Sequence, residues 1–135
     1  MRTRYAEADM TIAGVIAVAL IGVLIAFQLA LAAGAPLGAA AWGGRNPGVL
    51  PTRLRIASAF VGLVVYPFMA AVVLAALGVI DDDWFPFDLD VAMWLLAGFF
   101  ALGVLANAIS RSPPERIWSL VSGVIAVCCA LIALG

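Results

Sequence analysis

The sequence contains no histidine, and its only two cysteines, Cys128 and Cys129, are neighbours. Without histidine the commonest general base and the commonest imidazole metal ligand are missing. Adjacent cysteines inside an apolar run fit no metal-ligand or Cys-x-x-Cys redox spacing and offer no comfortable disulfide, so they read as small apolar packing residues. The sequence accordingly assigns no catalytic residue, no metal and no cofactor. Lysine is absent too, and charged residues make up only 11% of the 135 residues, with a net charge of −1. The arginines are scattered among connectors rather than gathered into a basic stripe, which argues against nucleic-acid binding.

What the chain has in place of charge is apolar length. Hydrophobic residues make up 66% of it, against roughly 45–50% in an ordinary globular domain, and its mean hydropathy is +1.17. Nearly all the charge lies in short connectors between four uncharged runs, 10–44, 56–80, 91–110 and 117–135. About 20 apolar residues cross a bilayer as a helix, and an ionised side chain at its centre costs roughly 2.5–3.5 kcal/mol on insertion scales. The spacing predicts an all-α fold, an integral membrane four-helix bundle. Residues 1–135 form a single transmembrane domain, with spans at about 10–33, 55–80, 91–110 and 115–134. The first run is too long for the core of a secretory signal, and Glu7 and Asp9 spoil a basic leader, so it reads as a permanent span. Abundant Ala, Gly and Arg without Lys or His point to a high-GC bacterial source, and hence to the inner membrane.

The connectors are informative in their own right. Gly34, Ala35 and Pro36 end the first span. Residues 37–44 stay uncharged and include Trp42, yet are too short to cross again, so they form an interfacial segment or a re-entrant one, interfacial being preferred. Thr52 is placed to cap the next helix. Pro67 removes the hydrogen bond to the Leu63 carbonyl and predicts a kink in mid-span. Asp81, Asp82, Asp83, Asp88 and Asp90, interleaved with Trp84, Phe85 and Phe87, read as an interfacial belt with a solvated acidic rim. An EF-hand glycine and terminal glutamate are missing there, so no calcium site is assigned. Ser112 can cap the fourth helix, Pro113 and Pro114 suit its first turn, and Glu115 complements its positive end.

Four spans put the first and third connectors on one side, and these carry Arg45, Arg53, Arg55, Arg111 and Arg116. Basic residues near span ends stay cytoplasmic, which predicts both termini outside. The uncharged polar groups Gln28, Ser58, Asn107, Ser110, Ser119 and Ser122 fall in the same, arginine-side half. Polar groups in a bilayer turn inward. The candidate binding residues are therefore Gln28, Trp42, Arg45, Arg53, Arg55, Asn107, Arg111, Glu115 and Arg116, around a cytoplasm-facing pocket for an anionic lipid head group or small molecule. In the plainer alternative, Gln28 and Asn107 hydrogen-bond across helices while the arginines hold the protein in register with the head groups. A small-residue stripe, Gly22, Ala26, Ala30 and Gly34, with pairs such as Gly103/Asn107 and Ser119/Gly123, predicts close helix packing and a homo-oligomer or a larger membrane complex.

Residues 34–51 and 107–116 resemble segments of uncharacterised small four-span integral membrane proteins of high-GC bacteria. That resemblance covers the span pattern and these two connectors and implies no activity. Three functions stay open. The first is a non-enzymatic accessory or lipid-interacting membrane protein. The second is a small four-span transporter similar in size to multidrug exporters, although those carry a glutamate inside the first span whereas Glu7 and Asp9 precede it here. The third is a membrane enzyme acting on a lipid or quinone, for which Glu115 beside Arg111 and Arg116 is the near-membrane acid with cationic neighbours.

Overall fold

Within an apolar run no side chain can satisfy the backbone, so each run must close its own N–H and C=O groups, and each does so as helix. The computed structural model describes residues 4–135, and no strand occurs among them. Helix α1 spans Arg4–Ala32, α2 Thr52–Phe60, α3 Tyr66–Ala76, α4 Leu89–Ala108 and α5 Pro113–Leu134. A π-helical turn, Val61–Val65, joins α2 to α3. Four helical stretches among the described residues, Arg4–Ala32, Thr52–Ala76, Leu89–Ala108 and Pro113–Leu134, are long and apolar enough to cross a membrane.

These rods pack as a bundle. The most extensive contact is α4 on α5; α1 lies against α5, α3 and α2, and α3 closes the ring on α4, whereas α2 and α4 do not pack closely together. Small residues set the α4–α5 distance: a side chain on Gly103 would meet Ser122, and one on Gly123 would meet Val104. The α1 stripe behaves differently. Gly22 and Ala26 are exposed, with open space beside Gly22, so that part of the stripe faces outward and not into its own bundle.

Helix ends follow backbone accounting more closely than span length. Gly34, at φ 98°, ends α1 with Ala35 N–H donating to Ala30 O and Gly34 N–H to Leu31 O. Gly78, at φ 72°, repeats this pair of bonds, Val79 to Leu74 and Gly78 to Ala75. Both are Schellman closures, for which a glycine free to take a left-handed backbone is the usual residue. The second span therefore stops at Ala76 and not at Ile80. Its helix also starts differently, because Pro51 occupies the N-cap and Thr52 is already helical. Ser112 is the N-cap of α5 by position but makes no side-chain capping bond; its Oγ donates to Ala39 O. Asp88 is the true side-chain cap of α4, accepting from Val91 N–H at 2.9 Å.

The effect of Pro67 is more specific than a kink. Tyr66 N–H reaches back to Val61 O, a five-residue turn that lies directly before the proline. Widening the turn moves the proline ring away from the preceding carbonyls, which a regular α-turn would force it against.

Two separate clusters form the interior. The larger holds Ala17, Ile21, Val73, Met93, Phe100, Ile125 and Cys129. The smaller gathers Leu31, Ala41 and Leu50 against Phe27 and Leu54, at the arginine end. Outward-facing positions remain apolar on every rod, among them Ile12, Val15, Leu63, Leu95, Leu102 and Leu120.

Candidate functional site

The gap between the two clusters is the candidate site. On α1, Leu24 belongs to the larger cluster and Leu31 to the smaller, and Gln28 falls between them. Gln28 lies four residues before Ala32, about 6 Å inside the helix end at 1.5 Å per residue. A cavity of about 460 Å³ opens here, with Gln28, Tyr66, Phe99, Asn107, Trp118 and Ser122 in its wall and Glu115 and Trp42 towards its mouth. That volume is within the roughly 300–1,000 Å³ range of small-molecule pockets.

Residues 37–50 build the lid of this cavity. Two 3₁₀ turns, Gly38–Ala40 and Trp42–Gly44, carry the chain, and Gly38 N–H donates to Gly48 O at 2.8 Å to close the loop's neck. Side chains and backbone then tie it to α2 and α5. Trp42 Nε1 donates to Ser58 Oγ on α2 at 2.9 Å, and Trp118 Nε1 on α5 donates to Ala40 O at 2.9 Å. Gly43 N–H donates to Glu115 Oε1 at 3.1 Å, and Ser112 Oγ donates to Ala39 O. Ser58 is fully buried, so its hydroxyl takes this bond out of reach of water, while Trp42 itself stays partly exposed. Trp42 holds a left-handed backbone, φ 51°, which costs a non-glycine residue roughly 1–3 kcal/mol and persists only where its surroundings enforce it.

The second connector is fixed to the same lid. Ser110 Oγ donates to Glu115 Oε2 at 2.6 Å and accepts from Ser112 N–H at 3.2 Å. Arg116 Nε donates to Ser110 O at 2.9 Å. Glu115 thus receives one hydrogen bond on each oxygen, from the lid and from the α4–α5 turn.

The polar groups of the cavity wall do not bond across helices. Asn107 Nδ2 donates to Gly103 O, one turn back on its own helix, at 2.8 Å. The side-chain amide of Gln28 makes no hydrogen bond among the described residues, and its Oε1 is fully buried. Gly62, in the π turn, holds that glutamine close: a Cβ there would lie 3.1 Å from Gln28 Cβ.

Of the nine residues singled out from sequence, Gln28, Trp42, Asn107 and Glu115 line the cavity. Arg45 and Arg111 line a separate groove, with Ala39, Gly43, Ser110 and Ser112. Arg55 Nε donates to Ala32 O at 3.0 Å, so it closes the C-terminal end of α1, where a cation is favoured by the helix dipole. Arg53 and Arg116 are exposed and line neither space. No guanidinium therefore lines the cavity itself. Sequence reasoning passed over Tyr66, Phe99 and Phe27 in the wall; Phe27 pairs with Trp118, the ring centroids 4.6 Å apart. Pro67 was the available signal for Tyr66, since it marks the disturbed turn.

At the opposite end, Asp81, Asp82 and Asp83 bring carboxylate oxygens within 4.8 Å of one another, all exposed, and Asp81 Oδ1 accepts from Asp83 N–H. No protein family, curated protein or solved structure matches the chain.

Proposed function

We propose that this chain is a non-enzymatic, multi-pass protein of the bacterial inner membrane, accessory or lipid-interacting, that binds a small amphiphile at its arginine-bearing, cytoplasmic end. The observation that carries this reading is the Gln28 amide, unpaired and beside a cavity of about 460 Å³. An unsatisfied buried polar group costs about 1–3 kcal/mol, a cost that a bound partner offsets. Arg45 and Arg111, on the outer side of the lid, supply contacts for phosphate or carboxylate in the head-group layer. The lid occupies the interface in this arrangement, since it carries Trp42 and lies between two helix ends.

Mild detergent extraction followed by mass spectrometry of retained small molecules tests the proposal. The wild type retains a defined amphiphile, and the double variant Gln28→Leu/Asn107→Leu loses it while staying folded. Identical retention by both would overturn the assignment. A small four-span transporter is the second reading, favoured by one feature: a carboxylate, Glu115, lines the cavity. Proton-dependent uptake into proteoliposomes, absent in Glu115→Gln, would favour it.

A further inference from the structure

We infer that the cavity selects an aromatic organic cation carrying N–H donors, and that the anionic partner expected from the arginines belongs outside the lid. This deepens the binding role proposed above and rests on it. The inference comes from charge and from which hydrogen-bonding groups are already used. Several donors around the cavity bond to the protein: Trp42 Nε1 to Ser58, Trp118 Nε1 to Ala40, Gly43 N–H to Glu115 and one N–H of Asn107 Nδ2 to Gly103. The Gln28 amide N–H groups and the Tyr66 and Ser122 hydroxyls stay open among the described residues, so charge and not donor count decides the sign of the ligand.

The charged acceptor in the wall is Glu115, and it has open lone pairs. Bonding Asn107 Nδ2 to Gly103 O fixes the amide and leaves Oδ1 with no partner among the described residues. Glu115 accepts one hydrogen bond per oxygen, so half of its roughly four lone-pair sites stay open. Among the described residues it is the sole charged one in the wall, and no guanidinium pairs with it. The rings of Trp118, Tyr66 and Phe99 also line the cavity, and aromatic faces attract cations through their quadrupoles. An anion would meet the Glu115 carboxylate with no positive group among the described residues of the wall to offset it. Arg45, Arg111 and Arg116 are exposed, where salt screens them over about 8–10 Å.

The test uses the full chain in nanodiscs of zwitterionic lipid, titrated with proflavine, an aromatic cation with amine donors, and with naphthalene sulfonate, an aromatic anion. Empty nanodiscs provide the baseline. Proflavine is expected to bind saturably, with the anion weaker by about tenfold or more. Losing a hydrogen bond to a charged group predicts that Asn107→Leu and Glu115→Gln each weaken proflavine by about tenfold. Asn107→Leu removes no bond between elements, so it keeps the test valid if Glu115→Gln loosens the lid. Equal or tighter binding of the anion, no saturable proflavine binding, or twofold or smaller effects in both variants would overturn the charge assignment. If the anion binds saturably and depends on Asn107, the cavity remains a binding site and only its chemistry is misassigned. If neither probe binds and no amphiphile is retained on purification, the binding role itself fails.

Discussion

Ser58 and Gln28 are both polar residues inside apolar rods, and the structure treats them in opposite ways. Ser58 is fully buried and accepts from Trp42, so Ser58→Ala removes this tie between the lid and α2 and should lower stability by about 1 kcal/mol. Thermal unfolding in detergent checks this; an unchanged midpoint would mean that the lid does not depend on that bond. Gln28 has no partner to lose. Gln28→Leu should therefore raise the unfolding midpoint while weakening ligand retention, because it removes an unsatisfied amide without breaking a contact. A lowered midpoint would show that the amide is bonded in the folded protein. Replacing a polar by an apolar side chain thus gives opposite signs at the two positions. Composition alone does not separate them, since partnership depends on which side chain a neighbouring element delivers.

At the scale of elements, the lid over residues 37–50 is held chiefly by groups from elsewhere in the chain. Glu115 accepts from its Gly43, and Ser112 and Trp118 hold its Ala39 and Ala40. Glu115→Ala should release one side of it and speed tryptic cleavage after Arg45 several-fold, without removing any of the four rods. Cleavage at the wild-type rate would contradict a tethering role. The four rods themselves were legible from the spacing of charge, because hydrocarbon tolerates few charges and helix length is set by bilayer thickness. Details that rest on backbone closure were less so. Gly78 ends the second rod four residues before its apolar run ends, and a proline read as a kink proved to be a π turn. The candidate site was legible in Gln28, Trp42, Asn107 and Glu115, and illegible in Tyr66 and Phe99. Tyr66 and Phe99 look like any other lipid-facing side chain until the neighbouring rods are in place. The arginines were read as one group, yet they separate into a helix-end contact, a groove and free surface.

For the molecule as a whole, the chain places its two interior clusters at different depths and leaves a polar gap near one end. Even numbers of crossings return the termini to the same side; Gly135 lies against Met10 on α1. With five of the arginines at the opposite end, both termini are expected outside. A reporter fused after Gly135 should be active only in the periplasm; cytoplasmic activity would reverse the orientation and put the cavity mouth on the outer face. All of this presumes that hydrocarbon covers the exposed leucine, valine and phenylalanine side chains, a surface far more apolar than water tolerates. Alkaline extraction of the producing cells' membranes, followed by flotation, measures that directly. The chain should float with the lipid and leave it only when detergent is added; a folded, monodisperse particle recovered in buffer without detergent would contradict the account.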